Sequence, residues 1–108
     1  MHKIFKLKPE DIEPLIEPMG SCLASDKITI EGLPIGYMYR EDQEEENDSG
    51  WRFLSGTENQ EYIDDPNNSM IFEVNTMANY DRAIIPYLKS RIGTELERVE
   101  NSDEFAEI

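Results

Sequence analysis

Alternating apolar and polar positions predict strands through the middle of the chain. Residues 27–30 alternate in this way, and the turn at residues 31–33 leads to a second predicted strand at 34–40. Two such runs separated by a short glycine-containing turn are typical of a β-hairpin. Further strands are predicted at residues 50–55, 70–75 and 93–99.

Helical spacing is confined to short stretches. In residues 3–19 apolar side chains recur every three to four positions, but Pro14 and Pro18 interrupt them, so only one or two helical turns are predicted. A short helix is predicted to follow Thr57, its expected N-cap. Residues 76–89 are expected to form a loop and another short helix.

The order of these elements predicts the fold class. Strands joined by short turns, with short helices between them, indicate an α+β protein: a mainly antiparallel sheet of about four to six strands with the helices packed on it. The length of 108 residues fits a single domain over residues 1–108. Within it we expect an N-terminal extension at 1–19, a core at 20–99, and a flexible acidic tail at 100–108.

The charge is strongly one-sided. Asp and Glu number 24 against 10 Lys and Arg, a net charge of −14. Residues 41–48 carry six acids and no base, which predicts a solvated loop. Such a surface repels nucleic acid and anionic membranes and attracts basic proteins. We therefore expect a basic protein partner, although solubility alone explains the charge about equally well.

Cysteine usage and hydropathy favour a cytoplasmic protein. Cys22 is the only cysteine, so an intramolecular disulfide and a cysteine-based zinc site are both excluded. No apolar run approaches the roughly 20 residues of a membrane span, and the N-terminus lacks the apolar stretch of a signal peptide. No glycine-rich phosphate loop is present, and we expect no cofactor and no metal.

Catalytic motifs are missing. His2 is the only histidine, so a Ser–His or Cys–His pair would require the N-terminus to fold back. Carboxylates remain as acid–base groups, and no catalytic residue is predicted. Burial of Glu58, Asp64 or Asp81 beside a pocket would favour a carboxylate enzyme, whereas exposure of all three would exclude one.

Aromatic and charged side chains are most concentrated in residues 37–40 and 48–53. On adjacent strands Tyr37 and Tyr39 would share one face, and Trp51 would lie opposite Arg52. Arg, Trp and Tyr dominate interfaces, but we favour a core role for the aromatics, with the arginines in structural ion pairs. The candidate binding residues are Tyr39, Arg40, Glu44, Glu45, Glu46, Trp51, Arg52, Asn75, Asn79 and Asp81.

Several of these stretches carry a family resemblance. They are Ser25-Asp26, Gly36-Tyr37-Met38-Tyr39-Arg40-Glu41, Asp48-Ser49-Gly50-Trp51-Arg52-Phe53, Asn75-Thr76, Asn79-Tyr80-Asp81 and Ile85-Pro86-Tyr87-Leu88. In order and spacing, about residues 20–98 resemble the bacterial family called domain of unknown function 2185. Arg82 departs from that pattern, which has proline there.

The resemblance implies a binding protein. The family is grouped with immunity proteins of polymorphic toxin systems, which are small cytosolic domains that bind and neutralise a cognate toxin, and it supplies no catalytic residues. Two alternatives remain: a small-ligand or regulatory domain with a pocket near Tyr39, Trp51 and Asn75, and a carboxylate enzyme.

Overall fold

A six-stranded mixed sheet organises the protein. The computed structural model describes residues 3–108, so His2 lies outside the described residues. The strands are β1 (Ser21–Ser25), β2 (Tyr37–Arg40), β3 (Asp48–Leu54), β4 (Ser69–Glu73), β5 (Glu95–Arg98) and β6 (Phe105–Glu107). The α-helices are α1 (Asp26–Thr29), α2 (Gln60–Asp64) and α3 (Val74–Tyr80), and 3-10 helices span Pro9–Asp11, Pro66–Asn68 and Arg82–Tyr87.

The predicted α+β class is confirmed. The strand order is β4-β1-β3-β2-β5-β6, and every neighbouring pair is antiparallel except β1 and β3. Four predicted strands correspond to β2, β3, β4 and β5. A single parallel pair at the centre means that the chain leaves β1, forms β2 at a distance, and returns to lay β3 between them.

The predicted strand at residues 27–30 is wrong, because this segment is the helix α1. The Ser25 hydroxyl accepts a hydrogen bond from the Lys27 amide, and the Ile30 amide donates to the Asp26 carbonyl at 2.9 Å. An N-cap therefore overrides the short alternating pattern. Thr57 is likewise not the cap of α2, since Asn59 accepts a hydrogen bond from the Tyr62 amide at 2.8 Å.

The expected flexible tail instead ends in a strand. β6 pairs with β5 along Phe105–Glu107. The Phe105 side chain is only 7% exposed, its ring centroid lies 5.3 Å from that of Tyr87, and its amide donates to the Tyr87 hydroxyl. Burial of one aromatic ring thus outweighs the acidity that predicted fraying.

The two faces of the sheet differ sharply. Paired residues on neighbouring strands point to the same side, so Trp51 shares a face with Arg40, and Phe53 with Met38. This is the core face, covered by α3 and the 3-10 helix Arg82–Tyr87, whose apolar side chains join one buried cluster with it. The opposite side, the open face, carries Tyr39.

We expect Phe105→Ala to lower the free energy of unfolding by about 3 kcal/mol, because a buried aromatic ring is lost from the core. The matched control is Glu107→Ala in the same strand. Because Glu107 is exposed, this change should alter the free energy of unfolding by less than about 0.5 kcal/mol. Urea denaturation measures both. Equal, small effects would show that β6 contributes little to the folded state.

Candidate functional site

The open face presents aromatic and acidic side chains together. In the register of the sheet, Tyr39 lies between Arg52 on β3 and Glu95 on β5, and Tyr37 lies opposite Glu97 on β5. The helix α2 packs over the β1 and β3 side of this face. The β2 and β5 side remains open as a groove of about 770 Å³.

Arg52 anchors the open face to the acidic loop. Its side chain is 6% exposed, and its guanidinium donates to both carboxylate oxygens of Asp48, at 2.9 and 2.8 Å. Its Nε donates to Glu41 at 2.6 Å. Arg52 thus makes the structural ion pairs that the sequence favoured, and its donors are used within the chain.

The pKa shifts follow from this geometry. Hydrogen bonds from Arg52 hold the pKa of Asp48 well below its usual range, and the backbone amides of Glu44 and Gly50 act in the same direction. The bond to Asp48 in turn raises the pKa of Arg52. The pair stays ionised, and Asp48, with a side chain 8% exposed, fixes the end of the acidic loop to β3.

Trp51 and Arg40 lie on the core face. Trp51 is fully buried, and its indole N–H donates to the Leu88 carbonyl at 3.0 Å. The Arg40 guanidinium lies over the Trp51 ring and donates to the carbonyls of Ser49 and Ser90, at 2.9 and 2.8 Å. The core interpretation of Trp51 is confirmed. Arg40, however, binds carbonyl oxygens and not the expected carboxylates.

Asn75 and Asn79 hold the N-terminal segment. The Asn75 side chain accepts hydrogen bonds from the amides of Leu15 and Ile16, and both asparagines donate to the Glu13 carbonyl. They lie in α3, whereas the sequence predicted the end of a strand at Asn75 and a loop with a short helix from residue 76 onwards. Their amide groups are therefore engaged by the protein's own backbone.

Asp81 joins three elements. It accepts hydrogen bonds from the Ile35 and Ala83 amides and a bidentate pair from Arg98, at 3.0 and 3.2 Å. The carboxylate therefore caps the 3-10 helix and ties it to β5. Its geometry is that of a structural ion pair.

The middle of the acidic loop directs its carboxylates outwards, as predicted, whereas Asp48 at its end turns in to Arg52. Glu44, Glu45 and Glu46 are all exposed. The Gln43 side chain donates to the carbonyls of Glu45 and Glu46, and the Glu44 amide donates to Asp48. The backbone of the loop is thus held while the charges of these three glutamates face solvent.

Trp51 and Asn75, the residues expected to line a pocket, line neither of the two cavities described for residues 3–108. Of the candidates placed in that pocket, only Tyr39 lines the two cavities, both of which lie on the open face. The smaller, of about 150 Å³, lies between α2 and the sheet. Trp51 belongs to the buried core instead, because alternation along β3 turns it away from Arg52.

Several groove residues were missed by the sequence search. Tyr37 was placed on the Tyr39 face but not selected, and its hydroxyl donates to Glu95 at 2.9 Å. The missed residues that line the groove include Leu54, Ile63, Glu95, Glu97 and Glu100. The repeated Tyr-x-Tyr and Glu-x-Glu spacings were the available signal, but nothing local shows that these two strands pair.

Glu58 partly meets the requirement set for a carboxylate enzyme, since it is half-buried and lines both cavities. Burial raises its pKa, but hydrogen bonds from Ser55 and Ser25 outweigh burial and leave the pKa below its usual value. A carboxylate held ionised by a turn is a poor proton donor. Asp64 is exposed, and the carboxylate of Asp81 forms an ion pair with Arg98.

The described residues also bear on metals and membranes. Residues 3–108 contain no group of three or more His, Cys, Asp or Glu side chains arranged to hold a metal ion. In the same part of the chain, no helix combines the length and apolar character needed to cross a membrane.

Comparison with known families decides the relationship. Residues 22–108 match the immunity protein Imm33 domain. The chain belongs to this family. The match includes the whole sheet except the first residue of β1, and it therefore contains the groove, Arg52 and the acidic loop. Neither the curated proteins nor the solved structures contain a match. The immunity-protein character implied by the resemblance is confirmed.

We expect Asp48→Asn to lower the free energy of unfolding of this Imm33-family protein by about 3 kcal/mol, because the buried Arg52 loses its bidentate partner. Glu41→Gln is the control at the same guanidinium. Its side chain is 46% exposed, so the loss should stay below about 1 kcal/mol. Urea denaturation distinguishes them, and equal losses would contradict the anchoring role of Asp48.

Tyr37 gives a pH-dependent prediction. Burial and the hydrogen bond to Glu95 raise the pKa of Tyr37 from 10.0 to about 12. Because the folded-state pKa is the higher one, this contribution to stability is complete below pH 10 and is lost as the pH rises towards 12.

Tyrosinate absorbance during an alkaline titration measures this shift. Glu95→Gln should lower the pKa of Tyr37. The substitution removes the nearby negative charge and replaces the carboxylate that accepts the hydrogen bond of the Tyr37 hydroxyl by a weaker amide acceptor. Tyr37→Phe identifies the transition by removing it. An unchanged transition in Glu95→Gln would contradict the assigned hydrogen bond.

Proposed function

We propose that this protein is an immunity-type module that binds and neutralises a basic protein toxin in the bacterial cytoplasm. The observation that carries the proposal is the match of residues 22–108 to the immunity protein Imm33 domain. In this proposal the domain acts by binding its partner. We also propose that the chain is related to the family called domain of unknown function 2185.

The distribution of charge supports a basic partner. Three arginines, Arg40, Arg52 and Arg98, use their guanidinium groups on internal carbonyls or carboxylates. Many of the carboxylates, including those of Glu44, Glu45 and Glu46 in the acidic loop, face solvent. With a net charge of −14, the surface attracts a basic protein and accelerates its approach.

Small-ligand binding is the second candidate. The cavity between α2 and the sheet is lined by Tyr39, Leu54 and Tyr62, which combine apolar and polar surface. Its volume of about 150 Å³ is smaller than the roughly 300 Å³ at which ligand pockets usually begin. The groove of about 770 Å³ is large enough, but it is open along the sheet and lined by several exposed carboxylates. Protein binding is therefore favoured, and thermal-shift measurements with metabolites test the alternative.

Capture followed by rescue tests the proposal. The full chain is immobilised, exposed to lysate of its source bacterium at low salt, and eluted with a salt gradient. We expect a basic protein to elute at moderate salt, because screening weakens the attraction. Expressed alone in a bacterial host, that protein should stop growth, and co-expression with this chain should restore growth.

Replacement of Glu44, Glu45 and Glu46 by Gln in the bait tests electrostatic steering. Stability should be unchanged since all three side chains are exposed, whereas association should slow several-fold. A captured protein that is harmless, or one whose toxicity this chain does not relieve, would contradict the immunity function. An unchanged association rate would exclude steering by the loop.

A further inference from the structure

The geometry points to the groove as the docking site for a segment of the basic partner that carries Arg or Lys side chains. The tyrosine groove, as we call it, is lined by Tyr37, Tyr39, Leu54, Ile63, Glu95 and Glu97. This inference rests on the proposed function, because it assigns a surface to the toxin-binding activity.

The groove carries negative charge without internal compensation. Among the described residues, none of the recorded ion pairs involves Glu58, Glu95, Glu97 or Glu100, all of which line it. Arg98 is the one cationic side chain in the lining, and its guanidinium is bound to Asp81. A cation entering the groove therefore meets unpaired carboxylates.

Glu95 and Glu97 place like charges close together. They are two positions apart on β5 and share one face, so their Cα atoms are separated by roughly 7 Å. Two like charges at this separation repel each other, although water and salt screen the repulsion. A guanidinium or ammonium group placed between them removes this repulsion and gains attraction from both carboxylates.

The aromatic and apolar surfaces fit the rest of a basic side chain. The ring centroids of Tyr37 and Tyr39 lie 5.6 Å apart, and the Tyr37 hydroxyl holds Glu95 in position. A cation over a tyrosine ring gains cation–π attraction. Leu54 and the 49% exposed Ile63 provide apolar surface for the methylene groups of Arg or Lys.

The groove suits a segment of protein and not a bare metal ion. The described residues hold no cluster of three metal-ligating side chains, so a divalent cation lacks a coordination site. The groove is wide and open, and it extends from α2 to the turn at Val99–Asn101. An extended basic segment can place successive side chains along it.

An NMR titration of the full chain with a hexa-arginine peptide at low salt tests the assignment. Glu95→Gln/Glu97→Gln removes two charges from the groove. The control, Glu10→Gln/Glu17→Gln, removes two charges from exposed positions in the N-terminal segment, whose backbone is hydrogen-bonded to α3 on the core face. Circular dichroism verifies folding of both variants.

We expect chemical shift changes to concentrate on β2 and β5. The dissociation constant should rise roughly tenfold in the groove variant and less than about twofold in the control. Changes centred on residues 41–48, or equal weakening in both variants, would overturn the assignment. If spermine bound as tightly as the peptide, the proposed occupant would be wrong, and the groove would be assigned to a small polycation.

The outcomes are separable from those of the toxin experiment. Growth rescue that persists in Glu95→Gln/Glu97→Gln would overturn the docking site and leave the immunity function intact. Peptide binding at the groove without any toxin rescue would overturn the immunity function, while the groove would remain a site for basic segments.

Discussion

The buried pair between Arg52 and Asp48 is the interaction on which the rest of the structure depends. A guanidinium this well shielded from water is tolerated only when its donors are satisfied, and Asp48 accepts two of its hydrogen bonds. The same carboxylate accepts a hydrogen bond from the backbone amide of Glu44 and so fixes the acidic loop. One ion pair therefore joins Arg52 on the open face of β3 to the end of the acidic loop.

Alternation along β3 separates stability from recognition. Trp51 and Phe53 face the core, and the intervening Arg52 faces the other side. The core face is closed by α3 and the following 3-10 helix, while the open face is covered only in part by α2. Internal contacts use the guanidinium groups of Arg40, Arg52 and Arg98, so the attraction for basic proteins arises partly from where the cations are hidden.

Sequence patterns predicted those elements that depend on interactions between residues close together in the chain. The strands of the sheet that carry strong apolar or aromatic alternation were found, as was the solvated acidic loop. The segment at residues 27–30 was misassigned because four alternating residues satisfy a strand and a capped helical turn equally well. The groove was beyond reach, since Tyr37 and Glu95 are 58 positions apart and meet only through the pairing of β2 with β5.

The order of the strands has a consequence for synthesis. β2 lies inside the sheet only because β5 covers one of its sides, and β5 is translated long after β2. Until then β2 is an edge strand with unpaired backbone groups and two tyrosines, which is a surface prone to pairing with other chains. A chain interrupted before Glu95 would therefore keep β2 as an exposed edge strand and would be prone to aggregation.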